Sequence, residues 1–86
     1  MNKKEIISKF VNGATSGTAS NLKIDGNKLI NYRTIIAFRI DDGKIILNNT
    51  KYSPTTSRNQ NLLRYYGEII AEMGQQDFYN QFIYNN

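Results

Sequence analysis

Segment 51–58, which reads KYSPTTSR, holds the residues best suited to bind an anion. It is predicted to start a helix, where backbone N–H groups have no intrahelical acceptor and the helix dipole is positive. Hydroxyls add donors and cations add charge, a combination typical of a phosphate site. The predicted phosphate contacts are Lys51, Thr55, Thr56, Ser57, Arg58 and, further along the same helix, Arg64. An alternative is that the hydroxyls only cap the helix and close the preceding turn.

Aromatic and basic residues are neighbours at three places, Tyr32-Arg33, Phe38-Arg39 and Lys51-Tyr52. Exposed aromatic rings stack on bases while nearby cations hold the nucleic-acid backbone. Arg33 and Arg39 therefore join the predicted phosphate contacts. The alternative places Phe38 in the core and leaves the tyrosines half-buried.

Tyrosine and phenylalanine are also concentrated in the C-terminal part of the chain. Such side chains are enriched in protein–protein interfaces. The predicted interface residues, as the alternative to nucleic-acid binding, are Tyr65, Phe78, Tyr79, Phe82 and Tyr84. The same residues also suit a C-terminal segment folded onto its own small core.

The sequence contains no histidine and no cysteine, which removes most catalytic and metal-binding chemistry. A Ser-His-Asp triad, a Cys-His pair, a zinc site of the usual ligands and a disulfide are all excluded. Asp41-Asp42 belongs to a predicted hairpin turn, and Glu68 and Glu72 to a solvated helix face where Arg64 would pair with Glu68. No catalytic residue, metal or cofactor is expected, and the chain is predicted not to be an enzyme.

The 86 residues suffice for one small domain, and their net charge of +4 is unevenly distributed. Residues 1–64 hold all eleven lysines and arginines and carry +7, whereas residues 65–86 carry −3. Such asymmetry favours a polyanionic partner, although lysines on solvated faces and sheet edges also suppress aggregation. No segment approaches the roughly 20 apolar residues of a membrane span, so no membrane association is expected and a cytoplasmic location is predicted.

The apolar pattern predicts a helix within residues 1–12, with Ile6, Ile7, Phe10 and Val11 on one face. Residues 13–20 are small and polar and are predicted to form a loop. From residue 21 the period changes to two, which predicts an antiparallel meander of three or four strands over residues 21–50.

The strongest hairpin signal is Asp42-Gly43, a dipeptide typical of type I′ turns. A two-residue loop at this position pairs Asp41 with Lys44, Ile40 with Ile45 and Phe38 with Leu47. The pattern then places Ile36, Phe38 and Ile40 on one face of the sheet, with Ile35, Ala37 and Arg39 on the other.

A long helix is predicted over residues 55–74, with a short helical tail over residues 77–84. Its apolar stripe would comprise Leu62, Leu63, Tyr66, Ile69, Ile70 and Met73. Ser57 with Gln60 forms a candidate capping box, and Ser53 before Pro54 is the rival N-cap. Gly67 falls inside this helix and Gly74 just after it. The predicted class is α+β: an N-terminal helix, the meander, and the long helix packed on the sheet.

Residues 21–61 resemble a small domain found in uncharacterised proteins of bacteriophages and mobile elements. The most specific part is the run Tyr52-Ser53-x-Thr55-Thr56-Ser57-x-x-Gln60. Further matching positions are Asn21, Leu22, Ile24, Gly26, Leu29, Tyr32, Thr34, Ile36, Ala37, Arg39 and Asn48. The resemblance implies a phage or mobile-element origin and a location in the host cytoplasm, and it implies no particular activity.

The sequence thus favours a non-enzymatic accessory protein that binds DNA or RNA for a phage or mobile element. The main alternative is a phage-encoded inhibitor that binds a host protein or ribonucleoprotein, in the manner of an anti-CRISPR. The sequence leaves open whether the protein forms a homo-oligomer. The two hypotheses differ in the surface they use, the basic segments in one case and the C-terminal aromatic residues in the other.

Overall fold

The computed structural model describes residues 1–84, and within them it is an α+β protein with one mixed sheet. The helices are α1 (Lys3–Val11), α2 (Pro54–Tyr66) and α3 (Gln75–Phe78), followed by a π-helical segment at Tyr79–Ile83. The strands are β1 (Ser16–Ala19), β2 (Leu22–Asp25), β3 (Lys28–Asn31), β4 (Thr34–Asp41), β5 (Lys44–Asn48) and β6 (Glu68–Met73). They lie in sequence order across the sheet.

The amphipathic helix predicted within residues 1–12 is confirmed by α1. Asn2 is the N-cap, and its side chain accepts a hydrogen bond from Glu5 N over 2.8 Å. Ile6, Ile7 and Phe10 are fully buried against the sheet. Leu63 of α2 joins the same hydrophobic cluster, so α1 and α2 cover one face of the sheet together.

The sheet has six strands in the described residues, more than the predicted three or four. The prediction of a loop over residues 13–20 is wrong for its second half, because Ser16–Ala19 forms β1 and pairs antiparallel with β2. The reason lies in tertiary contacts. Ala19 is buried in the core, and Gly17 approaches Ile6 and Ile24, which favours a strand despite small, polar residues.

Strand β4 contains two register shifts that the alternation rule misses. Ile36 is unpaired between Ile35 and Ala37 on the β3 side, and Ile40 is unpaired between Arg39 and Asp41 on the β5 side. Each extra residue reverses the alternation of faces locally. As a result Ile36 and Ala37 are both buried, whereas Ile40 is exposed.

The predicted hairpin register is therefore only partly right. Asp41 does pair with Lys44 across the two-residue loop. The other two predicted pairs are wrong: Ile45 pairs with Arg39, and Phe38 pairs with Ile46. The turn is not type I′ either, because only Gly43 has a positive φ, at 77°.

The predicted helix over residues 55–74 is wrong beyond residue 66. Helix α2 ends at Tyr66, Gly67 is its extended C-cap, and Glu68–Met73 forms β6, which pairs parallel with β5. Gly74 caps the start of α3 rather than the end of α2. The edge of β5 offers unpaired backbone groups, and pairing with it satisfies this segment better than further helix would.

The predicted C-terminal tail is helical in the structure, as α3 and the π-helical segment at Tyr79–Ile83. It packs on the sheet face opposite α1. Phe38 points away from α1, since its neighbour Arg39 bonds to Phe10 O. The rings of Phe38 and Phe82 lie 5.7 Å apart, and the N–H of Ile35 donates to the hydroxyl of Tyr79 over 2.8 Å. The domain thus has helical structure on both faces of the sheet.

Candidate functional site

Arg39, a predicted phosphate contact, is buried and only 5% exposed. Its guanidinium donates to Phe10 O, to Ala14 O over 2.9 Å and to Asn27 Oδ1 over 3.1 Å. It also lies over the Phe10 ring, 5.1 Å from the centroid. These acceptors use the donors that a phosphate would need, so Arg39 anchors α1 to the sheet and is not available to a ligand.

Thr56 is likewise in the interior rather than at an anion site. Its hydroxyl accepts a hydrogen bond from Asn31 Nδ2 over 2.7 Å and lies 3.1 Å from Ser53 Oγ. Asn59 Nδ2 in turn donates to Asn31 Oδ1 over 2.7 Å. A buried polar chain therefore runs from the start of α2 across to β3.

Ser53 is the N-cap of α2, and it accepts from Thr56 N over 3.2 Å. The candidate capping box of Ser57 and Gln60 is wrong, because the Gln60 amide donates instead to Asn48 O and Thr50 O. Thr55 and Ser57 are half-buried in the first turns of the helix. At this end of α2 the capping interpretation thus accounts for the geometry of Ser53 and Thr56.

Arg64 is paired with a carboxylate on the next element. It donates to both Glu72 oxygens, over 3.1 and 2.9 Å, and so joins α2 to β6. The expected partner, Glu68, is not the one used, because residues 68–73 form a strand. The hydrogen bond from Arg64 lowers the pKa of Glu72 and raises that of Arg64.

The other predicted cations lie at separate places on the surface. Arg33 is exposed in the turn between β3 and β4, and Lys51 is exposed on the connection from β5 to α2. Arg58, another predicted phosphate contact, lines a groove.

That groove lies between the start of α1 and the first half of α2, with a volume of about 500 Å³. Its lining residues are Asn2, Lys3, Lys4, Arg58, Asn59 and Leu62. Three cations thus converge beside the positive end of the α1 dipole. The sequence analysis placed Lys3 and Lys4 only on the solvated side of a helix, and nothing in the sequence indicated that α2 would pack beside them.

A second depression continues from the groove along the two helices. It is lined by Lys4, Glu5, Ser8, Lys9 and Tyr66. Lys4 lines both depressions, which therefore adjoin, and together they are called the helical face of α1 and α2. Glu5 is the acidic residue within this lining.

The C-terminal aromatic residues divide between interior and surface. Phe78 is fully buried, Phe82 stacks on Phe38 and Phe78, and the Tyr79 hydroxyl accepts from the sheet backbone. Tyr84 is exposed and lies edge-on to Tyr79. Tyr65 is 79% exposed and contacts Tyr66 edge-on at 4.9 Å. Three of the five predicted interface residues, Phe78, Tyr79 and Phe82, therefore pack within the domain.

Tyr52 joins three segments through its hydroxyl. It accepts from Asn48 Nδ2 over 2.9 Å and donates to Gln75 Oε1 over 2.7 Å. Partial burial raises the pKa of Tyr52 above its ordinary value of 10.0. The ring is therefore a structural link between β5, its connection to α2, and α3.

Comparison with known proteins places the chain in a family. The model of DUF8033, a family of unknown function, matches residues 2–83. The chain belongs to DUF8033. No curated protein and no solved structure matches it. The DUF8033 match spans α1, the sheet and α2, so both walls of the groove lie within the family domain.

Two further findings concern the described residues. None of their helices is long and apolar enough to cross a membrane. Residues 1–84 also contain no cluster of three or more acidic side chains placed to hold a metal ion.

Proposed function

We propose that this protein is a non-enzymatic nucleic-acid-binding protein that contacts its ligand with the helical face formed by α1 and α2. The observation that supports this most is the convergence of Lys3, Lys4 and Arg58 on one groove. A surface of this charge attracts the phosphate backbone irrespective of sequence. From the sequence resemblance of residues 21–61 to phage and mobile-element domains, we further propose an accessory role in such an element.

The rest of the helical face fits the same ligand. Lys9 extends the line of cations past the groove, and the exposed ring of Tyr65 lies beside Tyr66 at the far end. Cations that follow a backbone and aromatic rings that stack on bases together suit single-stranded nucleic acid. Glu5 opposes this attraction locally, which limits the affinity.

The protein-binding alternative has less support. Of its five proposed interface residues, Phe78 is buried, and Phe82 and Tyr79 pack on the sheet. Tyr65 and Tyr84 stay exposed. Tyr65 lies on α2, so it serves the nucleic-acid proposal equally well.

The experiment is fluorescence anisotropy with labelled single-stranded DNA, duplex DNA and RNA at two salt concentrations. The test variant replaces Lys3, Lys4 and Arg58 with glutamine. A matched control replaces Lys23, Lys28 and Lys44 with glutamine. The strand positions of these three lysines point away from α1 and α2. Both variants change the net charge equally, and circular dichroism checks that both are folded.

We expect salt-sensitive binding that the test variant loses and the control retains, with the single strand bound best. Equal losses in both variants would show that only net charge matters and would contradict this surface. An absence of binding by the unaltered protein at low salt would reject the proposed function and favour the protein-binding alternative.

A further inference from the structure

The buried polar chain of α2 ends in an unpaired atom of Asn59, a residue that lines the groove. Thr56, Asn31 and Asn59 are linked by two hydrogen bonds of 2.7 Å each. Asn59 has no exposed surface and lines the groove, yet its Oδ1 has no hydrogen-bond partner in the described part of the chain. Buried amide oxygens are nearly always paired with protein, water or an ion, so this end of the polar chain is a place where a further group can bind.

The polar chain can run in either direction. If both amides rotate by 180°, Asn31 Nδ2 donates to Asn59 Oδ1 and the Thr56 hydroxyl donates to Asn31 Oδ1. The Ser53 hydroxyl then donates to Thr56, and the cap from Thr56 N to Ser53 Oγ is unchanged. Every internal hydrogen bond survives, and Asn59 Nδ2 replaces Oδ1 as the unpaired atom.

The positive charge of the groove suits the reversed direction when an anion is bound. Lys3, Lys4 and Arg58 line the groove, together with the N-cap of α1, Asn2. In the first direction a side-chain N–H of one of these cations could donate to Asn59 Oδ1, whereas in the reversed direction the same charges attract an anion that accepts from Asn59 Nδ2. In the reversed direction a bound anion pairs the last free donor of the polar chain and lies among the three cations.

We propose that the groove is a phosphate-binding site in which Asn59 donates its side-chain N–H to the phosphate and Lys3, Lys4 and Arg58 balance its charge. Several donors from two helices suit a multiply charged tetrahedral anion. The inference deepens the proposed function, since a nucleic-acid strand would supply the phosphate. A mononucleotide or free phosphate carries the same chemistry. Because Asn59 is covered, the phosphate reaches it by displacing a flexible side chain of the groove.

The test is nuclear magnetic resonance of ¹⁵N-labelled protein, which detects side-chain amides directly. Inorganic phosphate, a nucleoside monophosphate and a short single-stranded oligonucleotide are titrated separately, with sodium chloride at equal ionic strength as the reference. We expect a saturable shift of the Asn59 side-chain signals with all three ligands. Arg58→Gln should weaken phosphate binding about fivefold to tenfold, equivalent to about 1 to 1.4 kcal/mol. Lys23→Gln, on β2, should not weaken it.

The outcomes separate the site from the proposed function. If the oligonucleotide binds and Asn59 does not shift, the phosphate site is rejected and nucleic-acid binding stands. If phosphate shifts Asn59 and the oligonucleotide does not bind, the site stands and the proposed function is rejected. Shifts that sodium chloride reproduces would also overturn the site. The unaltered protein decides these cases, so the test does not depend on an Asn59 variant that folds.

Discussion

The guanidinium of Arg39 is held inside the protein by acceptors on three separate segments. Phe10 O lies in α1, Ala14 O follows it, and Asn27 Oδ1 belongs to the turn between β2 and β3. Its sequence neighbour Phe38 suggested a ligand contact, because residue type and spacing do not reveal burial. The charge is solvated by main-chain and amide oxygens, an environment that only the folded chain creates.

Arg39→Ala should therefore destabilise the fold by about 2 to 4 kcal/mol, because it leaves buried acceptors without donors. Urea unfolding followed by circular dichroism measures the change. Arg33→Ala is the matched control. Since Arg33 is exposed and the structure gives it no ion pair within the described residues, its loss should cost less than about 0.5 kcal/mol. Equal destabilisation by the two changes would contradict the anchoring role.

The Arg64–Glu72 pair makes stability depend on pH in a defined direction. Arg64 lowers the pKa of Glu72 in the folded protein below its ordinary value of 4.5. The contribution is therefore complete above that value and is lost as the pH falls through the folded pKa. Both side chains are more than a third exposed, at 39% and 35%, so solvent screening limits the gain to about 0.5 kcal/mol.

Arg64→Gln removes this contribution. Its free energy of unfolding should lie slightly below that of the unaltered protein at neutral pH and should converge with it well below pH 4.5. Urea unfolding at several pH values measures both curves. A constant difference across the acid range would argue against the ion pair as the cause.

At the scale of elements, Gly67 marks the point where α2 gives way to β6. A Cβ atom at Gly67 would lie 3.0 Å from Ile45 Cγ1, 3.2 Å from Leu63 O and 3.3 Å from Val11 Cγ2. Three elements meet there, and the helix closes with a hydrogen bond from Gly67 N to Leu63 O. A larger residue would push these elements apart.

Gly67→Ala should consequently destabilise the protein by about 1 to 3 kcal/mol, as overpacking does in a core. Gly74→Ala is the control, since a Cβ there meets only Thr50 Oγ1 at an ordinary 3.6 Å and the φ of −69° suits any residue. Because Gly74 is the N-cap of the short helix α3, where Ala is less favourable than Gly, the change should cost at most about 0.5 kcal/mol. Thermal unfolding of both variants decides the matter, and a stable Gly67→Ala protein would contradict the close contact.

Local pattern predicted α1 and most strands of the sheet, and it failed where a tertiary partner decides. The residues of β6 read EIIAEM and are compatible with a helix, so the spacing of Leu63, Tyr66 and Ile70 suggested one long stripe. The edge of β5 makes the segment a strand. Gly67 was the one local signal of an end. The register shifts at Ile36 and Ile40 have no sequence signature of this kind.

At the scale of the whole molecule, the groove exists only because α1 and α2 pack side by side. Lys4 and Arg58 are 54 positions apart in the sequence, and no periodicity relates them. The excess of positive charge in residues 1–64 could be counted from the sequence, whereas the meeting of Lys3, Lys4, Lys9 and Arg58 on one helical face could not. Of the eight predicted phosphate contacts, Arg58 alone lines this surface.

The arrangement predicts how binding depends on salt. Lys3, Lys4, Lys9 and Arg58 line the helical face and would contact about four phosphates of a single strand. Each such contact contributes a slope of about −0.7 to a plot of log K against log salt concentration, so the total should be about −3. Anisotropy titrations of a labelled oligonucleotide at a series of sodium chloride concentrations measure this slope.

The salt dependence of single variants then shows which cations contact phosphates. Arg58→Gln should make the slope less steep by about 0.7, because one released counterion is lost. Lys23→Gln changes the net charge equally but lies on the opposite side of β2 from the core residues Leu22 and Ile24, so its slope should match that of the unaltered protein. If both variants shift the slope alike, binding follows the overall charge of the molecule, and α1 and α2 do not form the contact surface.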